Sequence, residues 1–328
     1  MKYRRLGKTK MSVSEISLGT WQVGGGWGGS FDHQAADRII NAAIDSGINF
    51  IDTADVYDAG LSEAAVGKVL RLRKEKIFVA TKCGRQIQPH VNKGYQPEIL
   101  RKYVEDSLKN MQLDTLDLIQ LHCPPTEVYF RPEIFGLFER LKEEGKIQHL
   151  GVSVEKVDEA KAALAYENVC TVQVIFNMFR LKPAAEFFSI AREKDCGIIA
   201  RVPLASGLLS GRMKASTTFH QEDHRTFNRQ GEAFDKGETF SGVDFVLGLQ
   251  AVEELKKRLG VADNLAAIAL RWILMFPEVS TVIPGASTID QVKANIGAAE
   301  RPTFNQEQMQ HVQEVYNEFL RDAIHPLW

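Results

Sequence analysis

Short apolar runs rich in Val and Ile alternate along the chain with longer stretches of helical periodicity. The apolar runs predict eight strands, at residues 15–19, 48–52, 77–82, 117–122, 149–153, 171–176, 197–202 and 280–283. The stretches between them predict helices at residues 34–46, 62–72, 97–111, 132–144, 156–166, 184–194, 243–259 and 289–298. Such regular alternation indicates a parallel sheet covered by helices.

Eight strand–helix units close most naturally into a (β/α)8 TIM barrel, although an open doubly wound sheet would satisfy the same alternation. Ser62 stands where it could cap the free N–H groups of the second helix. Residues 212–242 form a long polar segment outside the repeat, which we interpret as a loop that covers a site. Further helical patterns follow at residues 264–276 and 305–321, and no break in composition suggests a linker. We therefore expect residues 1–328 to form one domain.

Charge and composition exclude several classes of protein. With 40 Lys and Arg against 42 Asp and Glu, the formal net charge is −2, so we expect no nucleic-acid partner. No run of 18 apolar residues and no apolar leader is present, which predicts a protein outside the membrane. The four cysteines show no CxxC pairing and are interpreted as buried thiols, in keeping with a cytoplasmic location. Nothing in the sequence indicates the oligomeric state.

Titratable residues end three consecutive predicted strands. Asp52, Lys82 and His122 follow the apolar runs INFI, IFVAT and LIQL, and strand ends of a barrel converge on one mouth. Tyr57 lies five residues beyond Asp52. A tyrosine needs a nearby cation to exchange a proton near neutrality, because its ordinary pKa is about 10. Lys82 can supply that cation, Asp52 can hold Lys82 charged, and His122 can bond a carbonyl oxygen. The pattern predicts an acid for carbonyl reduction.

The run GINFIDTADVY at residues 47–57, with GLSE at residues 60–63, resembles the first signature of the aldo-keto reductase superfamily. The similarity continues through ATK, DLIQLH and IPGASTIDQVKAN, and PLASGLLSG at residues 203–211 resembles the microbial and plant branch. The resemblance implies a TIM barrel that reduces aldehydes or ketones. Its catalytic tetrad falls on Asp52, Tyr57, Lys82 and His122. It also implies NADPH as the cofactor, with NADH possible, and a small carbonyl compound as the substrate.

The same resemblance implies where the cofactor binds. Thr20 and Trp21 match residues that contact the nicotinamide and the substrate. Asp52 is also expected among the cofactor-binding residues. Ser153 and Gln173 match the pair that bonds the nicotinamide carboxamide. The pyrophosphate would lie against the loop after strand seven, which supplies Arg201, Pro203, Leu204, Ser206, Gly207 and Arg212. The adenosine would lie against the residues that follow strand eight, namely Gly285, Ala286, Ser287, Gln291 and Asn295.

Three positions depart from the family pattern. Val154 stands where many members have Asn, and Arg201 stands where others stack an aromatic ring on the nicotinamide. A guanidinium can also stack there. Ser287 and Thr288 occupy a stretch where many members place a cation beside the 2′-phosphate. We expect Arg212, Arg225 or Lys293 to replace that cation.

Two other motifs favour simpler interpretations. Gly24, Gly26 and Gly29 spell GxGxxG, but a dinucleotide fold needs a helix directly after the motif, and two residues intervene. The second motif is HQEDH, which places His220 and His224 four residues apart, a spacing compatible with a metal site. No third ligand is apparent, so we expect a loop without a metal.

Two alternatives to a reductase stay open at this level. The first is a cofactor-binding sensor or regulatory subunit with little turnover, similar to the channel-associated β subunits of the superfamily. The second is a barrel lyase or isomerase without a redox cofactor. We expect the substrate pocket to be shaped by Trp21, Trp27, Tyr129, Phe130 and the loop at residues 212–242.

Overall fold

The computed structural model describes residues 1–25, 30–262 and 264–328. The chain begins with an antiparallel hairpin of β1 (Tyr3–Arg5) and β2 (Ser12–Ser14). This hairpin was not expected from the sequence pattern. Its buried residues pack against the beginnings of the barrel strands, in a cluster of Leu6, Met11, Val13, Phe50, Phe78, Ala80, Leu118, Ile199 and Ile283. The hairpin therefore closes the end of the barrel opposite the mouth.

Eight parallel strands form one sheet in chain order, as the alternation predicts. They are β3 (Leu18–Gly19), β4 (Phe50–Asp52), β5 (Phe78–Cys83), β6 (Leu116–His122), β7 (Ile147–Ser153), β8 (Val169–Ile175), β9 (Gly197–Arg201) and β10 (Val279–Val282). Parallel bridges join Ile16 to Val282 and Gly19 to Gly285, so the last strand meets the first. The (β/α)8 barrel is confirmed, and the open sheet and the dinucleotide fold are wrong. Gly26, Trp27 and Gly29 lie outside the described residues.

Helices surround the sheet close to the predicted positions. They are α1 (His33–Asp45), α2 (Leu61–Leu72), α3 (Pro97–Met111), α4 (Pro132–Glu143), α5 (Val157–Ala163), α6 (Lys182–Glu186), α7 (Phe188–Glu193), α8 (His224–Phe227), α9 (Phe245–Leu259), α10 (Leu265–Ile273), α11 (Ile289–Gly297), α12 (Gln306–Val315) and α13 (Arg321–Ile324). The helix expected at 184–194 is divided at Phe187, whose φ of −128° is not helical. Its ring is fully buried, so packing takes precedence over helical continuity there.

Ser62 does not cap α2, contrary to expectation. The helix begins at Leu61, and its N-cap is Gly60 with a φ of 88°. The Ser62 hydroxyl is fully buried and donates to Thr20 Oγ1 at 2.8 Å, with Thr53 Oγ1 at 3.1 Å. Ser62 therefore ties the ends of the first two barrel strands together, directly beside the mouth.

The polar segment at residues 212–242 folds back on the loop that follows β9. The Ser206 hydroxyl donates to the Glu238 carbonyl and accepts from the Phe240 N–H, both at 3.0 Å. At the end of the chain, Trp328 Nε1 donates to Asp235 Oδ1 at 2.9 Å. These bonds hold the end of the segment at the barrel mouth.

All four cysteines are buried free thiols, as expected. Burial raises the pKa of Cys196 to about 12, which makes this thiol a weak nucleophile. Within the described ranges, no helix is both long enough and apolar enough to cross a membrane.

Candidate active site

The three predicted strand-end residues meet at the mouth of the barrel. In the parallel register, Asp52 pairs with Ala80, Lys82 with Gln120, and His122 with Ser153. Side chains alternate between the two faces of a strand, so residues two apart on one strand share a face. The sheet thus brings these side chains to the barrel interior at neighbouring positions, and all of them are buried.

Lys82 is the centre of this cluster. Its ammonium donates to Asp52 Oδ1 at 2.5 Å and to the Thr53 carbonyl at 2.8 Å. It also donates to the Tyr57 hydroxyl at 3.3 Å. The side chains of Lys82 and Asp52 are only 1% and 2% exposed. Burial alone would lower the pKa of Lys82, but Asp52 and Tyr57 raise it above its ordinary value. Lys82 is therefore a permanent cation at neutral pH.

Tyr57 reaches the cluster from the turn after β4. Asp58 and Ala59, directly after it, have φ angles of 47° and 52°, so the backbone turns sharply around the tyrosine. Burial raises the pKa of Tyr57, and Lys82 lowers it by less. Lys82 thus acts in the expected direction without overcoming burial. The phenol keeps its proton at neutral pH, as a proton donor must.

The second oxygen of Asp52 is bound by two amides. Asp52 Oδ2 accepts from Gln120 Nε2 at 3.1 Å and from Gln173 Nε2 at 2.8 Å. The resemblance assigned Gln173 to the nicotinamide, whereas the structure aims its amide nitrogen at Asp52. Sequence reasoning missed Gln120, although it lies two residues before His122 and hence on the same face of β6. Together the amides fix the carboxylate that binds Lys82.

His122 lies between Tyr57 and a residue that was not predicted, Arg85. Its Nε2 atom is 3.3 Å from Arg85 Nη1, and its ring centre is 6.1 Å from that of Tyr57. Burial, followed by Arg85 and Lys82, lowers the pKa of His122 well below its ordinary value. The imidazole is therefore neutral. Because arginine only donates, Nε2 accepts here, and the proton lies on Nδ1.

Arg85 and Arg201 share a carboxylate from the long loop. Arg85 Nη1 lies 2.9 Å from Glu238 Oε1, and Arg201 Nη1 lies 3.4 Å from the same atom. Arg85 Nη2 approaches Glu155 Oε1 at 3.7 Å. Arg201 also donates to the Val154 carbonyl at 3.1 Å. Arg85 follows Lys82 by three residues and could have been suspected from its position, whereas nothing in the sequence marks Glu238.

Aromatic rings form one wall of the mouth. The Trp21 ring lies 6.1 Å from Tyr57, 5.0 Å from His224 and 6.4 Å from Phe234. The Arg85 guanidinium lies 5.4 Å from the centre of the Phe234 ring. Trp21 was expected in the pocket, and His224 and Phe234 join it from the long loop.

The structure gives a different environment to each of the other residues that were expected in the pocket. Tyr129 is 1% exposed, and its hydroxyl donates to the Ser153 carbonyl at 3.3 Å, so it packs in the interior. Phe130 is largely exposed. Trp27 lies outside the described residues. His220 and His224 do not share a helix, because α8 begins at His224.

The residues that the resemblance assigns to the cofactor follow the same ends of the strands as the cluster. Thr20 is buried against Asp52, its hydroxyl donating to the Asp52 carbonyl at 3.1 Å. Ser153 and Gln173 are neighbours across β7 and β8. Pro203, Leu204, Ser206, Gly207 and Arg212 follow β9, and Gly285, Ala286, Ser287, Gln291 and Asn295 follow β10 and enter α11.

Contacts within the last of these sets fix its shape. The Ser287 N–H donates to Gln291 Oε1 at 2.7 Å. Asn295 Nδ2 donates to the Gly285 carbonyl at 3.2 Å. The loop after β10 is therefore tied to the first turns of α11 by side chains of the helix itself.

One group of side chains could offer ligands to a metal ion within the described ranges. Ligand atoms of Cys123, Glu155 and Glu238 lie within 4.8 Å of one another. Arg85 and Arg201 already neutralise Glu238, so a cation would have to displace a guanidinium. We assign no metal to this group.

The site thus combines a buried Lys82, Asp52 and His122 with a half-buried Tyr57 at the mouth of an α/β barrel. The chain belongs to the Aldo/keto reductase family, whose model matches residues 15–317. It is 29% identical to the aldo-keto reductase YhdN of Bacillus subtilis, covering 99% of this chain and 97% of that protein.

Two further matches agree with this assignment. An NADH-specific methylglyoxal reductase of Escherichia coli is 30% identical, covering 91% of this chain and 93% of that protein. The holo form of the aldo-keto reductase AKR11C1 from Bacillus halodurans superposes with a TM-score of 0.76 and 30% identity, covering 96% of each chain. The comparisons favour an oxidoreductase over a regulatory subunit with little turnover.

Proposed function

We propose that the protein reduces aldehyde or ketone carbonyls to alcohols, reversibly, with a nicotinamide cofactor. The observation that carries the proposal is the buried Lys82 ammonium, which contacts the Tyr57 hydroxyl at 3.3 Å and the Asp52 carboxylate at 2.5 Å. This arrangement provides one phenol with a proton to donate and a fixed positive charge beside it. His122 lies against the same phenol.

Each residue then has a distinct task. Tyr57 donates its proton to the carbonyl oxygen, and Lys82 stabilises the phenolate that remains. Asp52 balances the charge of Lys82, and its two amide partners keep it in place. When a substrate binds, His122 stays neutral and takes the tautomer with its proton on Nε2, which then donates to the carbonyl oxygen in place of accepting from Arg85. A bound reduced nicotinamide supplies the hydride.

The residues present fit a nicotinamide dinucleotide. Arg201 Nε is a buried donor without a hydrogen-bond partner in the described part of the chain. The guanidinium of Arg201 contacts Glu238 of the loop at the mouth. A side-chain atom built on Gly285 would meet its nearest neighbour only at 3.8 Å, which leaves the backbone after β10 open to a ligand. We propose that NADPH is preferred over NADH, although a relative carries the name of an NADH-specific enzyme.

The test compares Tyr57→Phe with Tyr166→Phe. Tyr166 stacks on Phe135 with ring centres 3.7 Å apart, away from the mouth, and serves as the matched control. Turnover is measured as oxidation of NADPH with a panel of aldehydes, and cofactor affinity by titration. Tyr57→Phe is expected to keep the cofactor affinity and to lose about 10²–10⁴-fold in kcat.

A loss of less than a few fold in Tyr57→Phe would remove Tyr57 from the acid role. Tight cofactor binding, with no oxidation of NADPH in the presence of any aldehyde, would instead support a regulatory subunit. Failure to bind either nicotinamide dinucleotide would support a barrel lyase or isomerase.

A further inference from the structure

Arg85 reaches into the mouth where a substrate would lie. Its side chain is 17% exposed, and its Nη1 atom is 3.3 Å from His122 Nε2, the atom that we assign to the carbonyl oxygen. Within the described residues, both hydrogen bonds of the guanidinium use Nη1. Arginine carries five N–H donors in a planar fork, and among these residues Nη2 has only the longer contact of 3.7 Å with Glu155 Oε1, so donors remain for a ligand beside His122.

The charges around Arg85 leave a positive excess. Arg85 and Arg201 both contact Glu238, whose pKa they lower despite its burial, so this carboxylate is ionised. Burial raises the pKa of Glu155 to about 8, so Glu155 is largely protonated at neutral pH. His122 is neutral, and Lys82 with Asp52 forms a balanced pair. Two guanidinium ions thus share one carboxylate, and a second anion would stabilise them.

The contact with Glu238 shows that the two guanidinium groups of Arg85 and Arg201 can bind a carboxylate. The Glu238 carboxylate oxygen lies 2.9 Å from Arg85, the length of a charge-assisted hydrogen bond. The same oxygen lies 3.4 Å from Arg201, which makes a longer ion pair. Glu238 comes from the loop at residues 212–242 and not from the barrel. The Phe234 ring from the same loop stacks near the guanidinium, with its centre 5.4 Å from Arg85 Cζ. The pocket thus combines a cation for a carboxylate with aromatic rings for a carbon chain.

We propose that Arg85 binds a carboxylate of the substrate, and that the enzyme favours oxo acids, meaning aldehydes or ketones that carry a carboxylate close to the reacting carbonyl. The inference rests on the proposed function. The carboxylate is unchanged in the reaction. A hydride from the reduced nicotinamide and a proton from Tyr57 convert C=O into CH–OH, and the oxidised nicotinamide leaves as the second product.

The experiment measures kcat/KM for matched pairs of substrates, glyoxylate with acetaldehyde and succinate semialdehyde with butanal. The ratio within a pair cancels any effect of Arg85 on the chemical step, because both substrates share that step. We expect the unmodified enzyme to favour the oxo acid by about 10–100-fold, the range for a hydrogen bond to a charged group. Arg85→Gln should bring the ratio close to one, and Arg85→Lys should keep part of it.

Arg192→Gln is the matched control, since Arg192 is 69% exposed on α7, and its ratio should match that of the unmodified enzyme. Glu238→Gln removes the internal carboxylate and should lower the KM of the oxo acids more than that of the neutral aldehydes. Circular dichroism establishes folding. If Arg85→Gln does not fold, an unchanged ratio in Arg85→Lys overturns the inference.

A second readout does not depend on turnover. Calorimetric titration with benzoate, with benzamide as the neutral control, should show benzoate binding that Arg85→Gln abolishes and Arg192→Gln keeps. Equal ratios in the unmodified enzyme and Arg85→Gln, or equal benzoate binding, would overturn this inference. Reduction of the neutral aldehydes would then leave the proposed function standing. If no carbonyl compound is reduced, the proposed function fails, and the benzoate titration decides the role of Arg85 alone.

Discussion

The buried pair of Asp52 and Lys82 should dominate both stability and the response to pH. Lys82→Met leaves the Asp52 carboxylate 2% exposed and bound, among the described residues, by the amides of Gln120 and Gln173. Asp52→Asn leaves the ammonium with the Thr53 carbonyl and Tyr57. Removing one partner of a buried ion pair costs about 3–5 kcal/mol. Each single variant should lose that much free energy of unfolding.

The double variant Asp52→Asn with Lys82→Met separates charge from packing. It contains neither charge, so it should lose less than the sum of the two single variants, by about 2 kcal/mol. Equilibrium unfolding in urea, followed by circular dichroism and tryptophan fluorescence together, measures all three variants. Losses below about 1 kcal/mol in both single variants, or strict additivity in the double variant, would refute the reasoning.

The same substitution tests the coupling of Lys82 to Tyr57. Under the proposed function, Tyr57 accepts a proton as phenolate in alcohol oxidation, so the rate should rise with pH as the phenol ionises. Lys82 lowers the pKa of Tyr57, and Lys82→Met should therefore move the rising limb of the pH profile to higher pH. A profile of unchanged shape and lower amplitude would show that Lys82 only supports the packing of the barrel.

Three further predictions concern the surroundings of the site. Gly67→Ala should cost about 1–3 kcal/mol in urea unfolding, because the new Cβ would lie 2.1 Å from the Met111 carbonyl oxygen. Burial raises the pKa of Asp55 to about 7, above its unfolded value, so its contribution to stability is lost as pH rises from about 4 to 7. Asp55→Asn should flatten that part of the stability profile by up to about 4 kcal/mol. Trp328→Ala should speed proteolysis within residues 212–242, because it removes the bond to Asp235. Unchanged cleavage would show that this bond does not hold the loop.

The barrel and the cluster of polar residues at its mouth could be predicted because both follow from local patterns. The apolar runs predict the strands of the sheet, and the polar residues at the ends of these runs predict the mouth of the barrel. Asp52, Lys82 and His122 lie where strand alternation places them, at neighbouring positions of the register. The closure of the sheet could not be read from periodicity, because it depends on the bridge from Gly19 to Gly285, two residues far apart in the chain.

The residues that were missed depend on the path of loops. Glu238 reaches Arg85 and Arg201 only because residues 212–242 fold back onto Ser206, and no periodicity predicts such a path. The N-terminal hairpin was missed for a related reason, since its strands are three residues each and too short to show alternation. Ser62 was expected to cap α2 because serine favours that position, but its hydroxyl is buried and bonds residues at the ends of two strands instead.

The cofactor preference remains the prediction in which this chain and its family differ most. The Ser287 hydroxyl and N–H both bond Gln291 Oε1, so this position offers a hydroxyl and no positive charge to a 2′-phosphate. Arg225 is held by Asp223, with Nη2 at 2.6 Å from Oδ2, and is already neutralised. Arg212 and Lys293 are exposed and are the remaining candidates for a compensating cation.

An exposed ion–phosphate contact is weakened by salt, because the screening length falls from about 10 Å at 0.1 M to about 3 Å at 1 M. We therefore expect NADPH to bind more tightly than NADH by a modest margin that shrinks as ionic strength rises. Ser287→Arg should widen the margin, since a guanidinium binds phosphate through two parallel hydrogen bonds, and Ser287→Ala is the matched control. Dissociation constants for both cofactors at low and high salt decide the matter. Tighter binding of NADH under both conditions would show that the missing cation, and not the family pattern, determines the choice of cofactor.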